Sequence, residues 1–418
     1  MTEKLLQFIW QFQYFSPVNL STTANEPVQV VYPGQINHNQ GPDFLGARIR
    51  VGTTLLAGSV ELHLRTSDWQ RHQHTIDPNY NNVILHVVYQ NDEQDSALPV
   101  VELESRISRI LLDRYGQLML MTPTFACAAT ISQVKELTWK AWKDRLVAER
   151  LIRKADRIFA LLQQNKYHWE ETFWWMLARN FGATVNSDTF EEVARSIPVG
   201  ILAKHKFQIH PIEALLFGQA NLLNGVIQDE YGRLLQREYN FLKAKYKLSP
   251  VHAPVHFMRM RPGNFPTIRL AQLASLICSS THLLSQIIEA DACSKIKALL
   301  SVTANDYWHY RYRFDEPSEY TPKKLGATMI DTLMINTVIP MLFAYGQYHN
   351  QEKFKLKALQ WLEETKAEIN NITTDFKNAS LKNGNAFDSQ AYIELRTHYC
   401  NPKRCLECAV GNALLRST

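Results

Sequence analysis

The sequence has no hydrophobic run long enough to cross a membrane, which takes about 18 consecutive apolar residues. Its first residues also lack the basic segment and the small-residue cleavage site of a signal peptide. These absences predict a cytoplasmic protein with no membrane partner. Cysteine is scarce, with six residues, and in the cytoplasm these thiols are expected to be free or bound to metal rather than paired in disulfides.

A strong excess of one charge is also missing. A net charge of +5 over 418 residues permits a nucleic-acid partner without demanding one. No fixed repeat period is visible, so a solenoid is not predicted. Apolar residues make up 45% of the chain, which is enough for real cores, and the length suggests two or three domains. The oligomeric state is left open.

The spacing of apolar residues changes along the chain. Near the N-terminus it predicts one helix followed by strands, and from Ser132 onward it keeps the 3.6-residue period of amphipathic helices. We therefore predict an α+β protein, with an α/β domain over residues 1–125 and a larger helical domain over residues 126–418. The predicted N-terminal elements are a helix at Glu3–Phe15 and strands at Val28–Tyr32, Phe44–Val51, Leu55–Leu64, Val83–Tyr89 and Pro99–Glu104.

Two places are predicted to interrupt helices. Gly116 is expected to end a helix that begins at Ile107, because glycine is common just beyond a helix C-terminus. The polar, asparagine-rich segment Phe376–Ser389 is expected to be a mobile loop.

The runs Phe44–Val51 and Leu55–Leu64 are separated by Gly52-Thr53, which predicts a β-hairpin. Apolar and polar residues alternate in the second run. Because side chains alternate faces along a strand, Glu61 and His63 project together from the polar face.

Asp43 precedes this hairpin and stands eighteen residues before Glu61. With a two-residue turn and no bulge, Asp43 lies opposite Leu62 and points to the wrong face. A three-residue loop or a one-residue bulge corrects the face, and Gly46 and Gly58 are plausible bulge positions. Neighbouring Cβ atoms would then lie roughly 5 Å apart, so the two acids could share Mg²⁺ or Mn²⁺. The alternative is a surface hairpin with solvated acids.

The Pro42-Asp43 step, followed by Glu61-x-His63 inside an apolar run, resembles the signature of the PD-(D/E)XK nuclease superfamily. The resemblance implies a restriction-endonuclease-like mixed sheet with the core order αβββαβ. It also implies that Asp43 and Glu61 hold a divalent metal. The superfamily has a lysine where His63 stands, and a full helix where this chain has the segment Thr66–Asn82. As a whole, the chain resembles an uncharacterised bacterial family, domain of unknown function 2851.

Four histidines fall within 24 residues, namely His63, His72, His74 and His86. Neutral imidazole suits zinc, and three protein ligands leave a position for water, so a zinc hydrolase could combine such histidines with Asp43 or Asp77. In the nuclease interpretation, His72 or Asp77 could instead supply the base. His86 lies in an apolar strand and is typical of a core histidine bonded to backbone.

The segment from His398 to Cys408 contains three thiols within nine residues. Cys405-x-x-Cys408 has the spacing with which two thiolates bind one metal ion, and Cys400 adds a third. The fourth ligand could be His398 or the distant Cys127. Zinc is the first expectation and an iron–sulfur cluster the second, since the set loosely resembles the iron–sulfur segment of some RecB-type nucleases. The alternative is reduced cysteines that fix the C-terminus by packing.

Two basic segments are candidates for nucleic-acid binding. Arg261 and Arg269 flank a proline-containing loop, and Arg311 and Arg313 alternate with aromatic residues. Guanidinium planes and aromatic rings both stack on bases. The alternative is an aromatic edge whose arginines extend into solvent.

The leading hypothesis is a metal-dependent phosphodiesterase acting on DNA or RNA. Asp43 and Glu61 would hold Mg²⁺ or Mn²⁺, His63 would replace the lysine, and Asn37 and His72 would lie nearby. The helical domain would supply the basic surface. The alternatives are a non-enzymatic module that binds nucleic acid or protein, and a zinc hydrolase of a small substrate.

Overall fold

A computed structural model of the protein describes residues 1–37, 39–93, 96–119, 125–258, 260–280 and 282–416. The chain divides into two compact units. The first unit comprises Met1–Trp142 together with Arg396–Thr418, and the second comprises Lys143–Leu395. The first contains a mixed sheet and the second is mainly helical, which confirms the α+β class. This division differs from the predicted boundary after residue 125, and the C-terminal residues belong to the sheet-containing unit.

The described residues form eight strands and eighteen α-helices. The strands are β1 (Val28–Tyr32), β2 (Gln35–Ile36), β3 (Phe44–Val51), β4 (Thr54–Arg65), β5 (Val83–Gln90), β6 (Val100–Glu102), β7 (Arg311–Arg313) and β8 (Glu316–Pro317). The helices are α1 (Glu3–Phe12), α2 (Asp68–Arg71), α3 (Arg109–Met119), α4 (Glu136–Gln164), α5 (Trp169–Phe181), α6 (Ala183–Ser196), α7 (Val199–His205), α8 (Ile209–Gln219), α9 (Glu230–Tyr246), α10 (Pro266–Ser279), α11 (Leu283–Glu289), α12 (Cys293–Leu299), α13 (Ala327–Leu333), α14 (Ile339–Tyr348), α15 (Glu352–Glu364), α16 (Asn371–Asn378), α17 (Ala386–Leu395) and α18 (Ala409–Arg416).

The sheet of the first unit has the strand order β1-β3-β4-β5-β6, and β2 also pairs with β3. Strand β3 is antiparallel to both of its long neighbours, β1 and β4. Strands β4, β5 and β6 are parallel to one another. β4 is therefore a central strand, which explains its run of buried residues.

Helix α1 packs on this sheet through its apolar face. Leu6, Ile9 and Trp10 are each 0% exposed and belong to the same core cluster as the buried residues of β3, β4 and β5. Burying a side chain of this size contributes about 1.5–3 kcal/mol. This packing fixes the orientation of α1, and Gln7 on its other side reaches the carboxyl of Asp43.

The β3–β4 hairpin has a two-residue turn, and its register shifts once. Ala47 pairs with Gly58, whereas Phe44 pairs with Val60, so β3 contains one extra residue between these pairs. Gly46 lies in this β-bulge with φ +67°, a left-handed conformation that residues with a Cβ rarely adopt. The expected bulge is therefore confirmed, and Gly46 is its position.

The bulge turns Asp43 to the face of the sheet that carries Glu61. The Asp43 N–H donates to Glu61 Oε2 at 2.9 Å, and the Leu62 N–H donates to Asp43 Oδ2 at 3.1 Å. The two acids from neighbouring strands therefore lie side by side.

The connection from β4 to the parallel strand β5 contains only the one-turn helix α2 and two 3₁₀ turns. Asp68 ties α2 to the end of β4, because its Oδ2 accepts the Arg65 N–H at 3.1 Å while its Oδ1 lies 2.6 Å from Arg71. The segment folds back over the polar face of β4 and carries His72 and His74 to it.

The second unit contains α5 to α17, most of α4 and a two-stranded ribbon of β7 and β8. One stretch, Ala327–Tyr348, is long and apolar enough to cross a membrane, contrary to the expectation that no such run exists. Since 67% of its most apolar window is buried inside the protein and core helices pass the same test, it is weak evidence for a membrane.

The predicted interruption at Gly116 is wrong, because Gly116 lies inside α3. The predicted loop over 376–389 is shorter than expected: residues 379–385 connect α16 to α17 outside any helix, and both ends of the segment are helical. Helix α16 begins with a capping box of Asn370 and Thr373, which satisfies its first backbone N–H groups.

The bulge predicts a contrast between two glycine substitutions. A Cβ added at Gly46 or at Gly116 meets no atom within 4 Å, so the two sites differ in backbone conformation and not in available space. We expect Gly46→Ala to lower the free energy of unfolding by about 1–2 kcal/mol, the cost of a left-handed residue with a Cβ. Gly116→Ala, within a helix, should raise it by about 0.5–1 kcal/mol. Urea unfolding measures both, and equal responses would show that the bulge does not depend on glycine.

Candidate metal centre

Asp43 and Glu61 form a carboxyl pair that is largely removed from water. Gln7 Nε2 donates to Asp43 Oδ1 at 2.7 Å, in addition to the bond from the Leu62 N–H. Burial, followed by the charge of Asp43, raises the pKa of Glu61 to about 8. Burial also raises the pKa of Asp43 to about 6. Near neutral pH this pair must therefore hold a proton unless a cation neutralises it.

Three histidines converge beside Glu61. His63 Nε2 lies 3.1 Å from His72 Nδ1, 3.3 Å from His74 Nε2 and 3.6 Å from Glu61 Oε1. His74 Nε2 is 3.5 Å from the same Glu61 oxygen. The nearest ring nitrogens of the three histidines all lie within 4.8 Å of one another. Three imidazole nitrogens thus converge at one place, and one carboxylate oxygen lies beside two of them.

Hydrogen bonds cannot satisfy this arrangement. An imidazole nitrogen either donates one hydrogen or offers one lone pair. His63 Nδ1 already lies 2.9 Å from His86 Nε2, so Nε2 alone faces the three remaining polar atoms. A tetrahedral metal ion with bonds of about 2.0–2.1 Å spaces its ligand atoms about 3.3 Å apart. The distances from His63 Nε2 to His72 Nδ1 and to His74 Nε2, 3.1 and 3.3 Å, are close to that spacing. Glu61 Oε1 lies 3.6 Å from His63 and 3.5 Å from His74.

Burial favours the neutral form of His63, His74 and His86. Burial, reinforced by the neighbouring histidines, lowers the pKa of His63 to about 3 and that of His86 to about 4. Burial also lowers the pKa of His74. A neutral imidazole has a lone pair to give to a metal, whereas a protonated one does not.

A second layer of side chains holds the ligands in place. The contact of His86 with His63 Nδ1 leaves His63 Nε2 directed at the cluster. The ring of Tyr80 stacks on His74 with centroids 3.8 Å apart, and the Trp69 ring lies 5.3 Å from His74. His86 was predicted to be a core histidine bonded to backbone. It is buried, but its ring contacts the ring of His63, 2.9 Å away, instead of the backbone.

The cluster opens to solvent at His72, which is exposed. Arg71 precedes it, with 71% of its side chain exposed. The charge of this guanidinium is the smallest of the contributions to the low pKa of His63, and the guanidinium is itself paired with Asp68 Oδ1 at 2.6 Å. The exposed side of the site therefore carries an arginine that is already ion-paired.

Two other predicted residues have supporting positions. Asn37 shapes the loop before Asp43, because its N–H donates to Asp43 O at 2.7 Å and its side-chain amide donates to Pro42 O at 2.9 Å. Asp77 caps a 3₁₀ turn by accepting the Asn79 N–H at 2.9 Å.

The four predicted nucleic-acid arginines all lie in the second unit. Arg269 is 8% exposed and donates to two side chains, and Arg311 Nε lies 2.9 Å from an aspartate oxygen. The Arg313 guanidinium stacks 4.4 Å above a phenylalanine ring. Arg261 is exposed. Three of these side chains are thus engaged within their own unit, and nucleic-acid binding by the set stays a prediction.

The C-terminal thiols and the upstream cysteine belong to the same unit. Cys127, Cys400, Cys405 and Cys408 all lie in the first unit. Burial raises the pKa of Cys127 to about 12 and that of Cys408 to about 11. Metal binding by these cysteines, with His398 or Cys127 as the fourth ligand, stays a prediction.

Sequence reasoning placed Asp43, Glu61, His63 and His72 at one site, and the structure brings them together. It missed Gln7 and Arg71, because neither belongs to a motif. The signal for Gln7 is its place on the polar side of an amphipathic helix, and Arg71 directly precedes a ligand histidine.

The fold and the site define an α+β protein with a histidine-rich candidate metal centre. A family model described as Protein of unknown function (DUF2851) matches residues 3–371, and the chain belongs to this family. This confirms the family resemblance seen in the sequence. Neither the curated proteins nor the solved structures give a significant match, and the comparisons lend no support to the resemblance to PD-(D/E)XK nucleases.

The raised pKa of Glu61 predicts how the metal-free protein responds to pH. Between the unfolded value of about 4.3 and the folded value of about 8, the folded chain retains a proton that the unfolded chain releases. Stability must then fall as pH rises, by at most about 1.4 kcal/mol per pH unit from this group. His63 acts in the opposite direction, but only below about pH 6.5, where an unfolded imidazole takes up a proton.

We therefore expect the Tm of chelator-treated protein to decrease from pH 6.5 to pH 8. Glu61→Gln cannot ionise, so it should flatten this decrease. A slope that is unchanged in Glu61→Gln would contradict the assignment.

Proposed function

We propose that the protein is a metal-dependent phosphodiesterase that acts on DNA or RNA. The observation that supports this most is the convergence of three imidazole nitrogens, within 4.8 Å of one another, beside the carboxyl pair of Asp43 and Glu61. Such a donor set is suited to metal-assisted hydrolysis. The exposed cation of Arg71 at its open side favours an anionic substrate such as a phosphodiester.

In this proposal the metal is held by His63, His72 and His74, and the carboxylate of Glu61 lies beside two of them. The sequence-based hypothesis assigned Mg²⁺ or Mn²⁺ to Asp43 and Glu61 alone. Three nitrogen donors favour Mn²⁺ or Zn²⁺ over Mg²⁺, which prefers oxygen ligands. When bound, such an ion would polarise a phosphate oxygen and lower the pKa of water.

The chain's own residues would divide the remaining tasks. Asp43 lies beside Glu61, held by Leu62 and Gln7, and is positioned to accept a proton at Oδ1 or Oδ2. Arg71 would bind the substrate phosphate. His63 would serve as a metal ligand at the position where the PD-(D/E)XK signature has a lysine. Arg71 would then supply the positive charge that the lysine provides in that signature.

The order of elements supports a restriction-endonuclease-like core. Helix α1 comes first, antiparallel strands follow, and a crossover leads to the parallel strand β5. The crossover contains only the one-turn helix α2, and its loop supplies the imidazoles of His72 and His74. The fold assignment at this level of detail remains part of the proposal.

The second candidate function is zinc-dependent hydrolysis of a small molecule. It is favoured by the number of imidazoles, because three nitrogen ligands are typical of catalytic zinc. A third possibility is a module that binds nucleic acid or protein without catalysis, for which the donor set would be a relic.

Metal binding is tested by thermal shift with Mn²⁺ and Zn²⁺ added to chelator-treated protein. A ligand at one hundred times its Kd stabilises the native state by about 2.7 kcal/mol. We expect a clear rise in Tm for the natural sequence and at least a tenfold weaker metal affinity for His72→Ala. His72 is exposed, so its removal leaves the core intact.

The matched control is His252→Ala, an exposed histidine of the second unit, which should respond to metal as the natural sequence does. Equal metal responses of the two variants would refute the assigned ligands.

Activity is tested on single-stranded, duplex and branched DNA and RNA with Mn²⁺ or Zn²⁺. We expect cleavage that Glu61→Gln abolishes. Arg71→Gln should lower kcat/KM about tenfold, the effect of losing about 1.4 kcal/mol of phosphate binding, without changing metal affinity. A protein that binds metal at His72 but cleaves none of these substrates would be no nuclease, and a small-molecule substrate would then be sought.

A further inference from the structure

The second unit contains a cavity that the proposed function does not use. Its volume is about 360 Å³, which lies in the range of pockets that bind small molecules. Residues of α5, α7 and α10, together with the start of α11, form its walls. All of these elements belong to the second unit, so the cavity lies within one compact body.

The floor of the cavity is apolar and buried. Helix α5 directs one stripe of side chains at it, because residues three, four and seven positions apart lie on the same side of a helix. The buried members of that stripe are Phe173, Trp174 and Leu177, and α10 adds Leu276. Each of these side chains is between 1% and 4% exposed. An apolar group placed on this floor is removed from water, which favours binding.

Hydrogen bonds fix the walls around this space. The Trp174 Nε1–H donates to Ala194 O at 2.9 Å and to Ile197 O at 3.1 Å, which holds the indole ring in one position. The Val199 N–H donates to Glu171 Oε2 at 3.1 Å and ties the start of α7 to α5. The protein itself therefore holds the walls, so a ligand would not have to order them.

Helix α7 leaves the space open because the residues that it contributes are small. Val199, Gly200 and Ala203 line the cavity. A Cβ built at Gly200 meets no atom within 4 Å, so a larger side chain has room at this position. Gly200 and Ala203 are both exposed, and they mark the side from which a small molecule would enter.

One carboxylate stands at the edge of the apolar floor without a partner. Glu170 is half-buried and precedes Phe173 and Trp174 by one helical turn on the same stripe of α5. Among the described residues, none donates a hydrogen bond to its carboxylate or forms an ion pair with it. Burial raises the pKa of Glu170, while His282 and His168 oppose this shift. A cation that paired with this carboxylate would offset the cost of its burial.

The other charged residue of the lining places its charge near the surface. Lys206 Nζ lies 5.2 Å from the ring centroid of Phe207, and this residue is 86% exposed. The two histidines of the lining, His168 and His282, are exposed as well. The charge beside the buried floor is therefore that of Glu170, which selects a positive head group.

We propose that this cavity binds a small organic amine, with the apolar body of the ligand on Phe173, Trp174 and Leu276 and its ammonium group paired with Glu170. The faces of aromatic rings also attract a positive charge, so Phe173 and Trp174 favour the same head group. A charge pair at the edge of an apolar site is stronger than one in water, because the local dielectric is low. The ligand class is an amine with a short aliphatic or aromatic body.

Isothermal titration calorimetry of the full-length protein with three probes tests the head group. Hexylamine, hexanol and hexanoate share one apolar body and carry a positive, a neutral and a negative end. We expect hexylamine to bind about tenfold more tightly than hexanol, the effect of about 1.4 kcal/mol from the charge pair. Hexanoate should bind most weakly, because Glu170 repels it. Hexylamine that binds no more tightly than the other two, or no binding of any probe, would overturn the proposal.

Two variants test the residues. Glu170→Gln should remove the preference for hexylamine and leave the binding of hexanol unchanged, whereas Gly200→Leu should fill the cavity and weaken all three probes. The matched control is Glu289→Gln, an exposed glutamate of α11, which should retain the preference. A preference that persists in Glu170→Gln, or hexylamine binding that is unchanged in Gly200→Leu, would refute the assigned site.

If either variant fails to fold, the comparison of the three probes on the natural sequence still decides, since it needs no substitution. None of these measurements depends on metal binding or on cleavage of nucleic acid. Failure of the amine site is thus distinguishable from failure of the proposed function.

Discussion

A carboxyl group held out of water beside another acid must either keep a proton or meet a cation. Glu61 is in this position, and burial together with Asp43 raises its pKa to about 8. The surrounding imidazoles do not help as cations, because burial keeps His63 neutral with a pKa of about 3. A neutral imidazole can still donate a lone pair to a metal ion. The buried acids and the neutral ring of His63 therefore both favour a bound metal cation at this place.

Two irregularities in the backbone bring these acids and imidazoles together. The extra residue at Gly46 turns Asp43 onto the face of Glu61, and the short crossover between β4 and β5 folds two imidazoles onto the same face. A regular hairpin would separate the acids, and a long crossover helix would leave no loop to deliver the histidines. Bulges and short connections are common at functional sites, because they bring together side chains that regular strands keep apart.

The sequence by itself determined the local features of this protein. Strand alternation placed Glu61 and His63 on one face, and the demand for a bulge followed from counting residues between Asp43 and the turn. Only the tertiary structure decided that Gly46 and not Gly58 forms the bulge, and that His86 lies behind His63 through the parallel pairing of β4 and β5. Alternation and period are properties of neighbouring residues, whereas these contacts join segments far apart in the chain and depend on register and chain path.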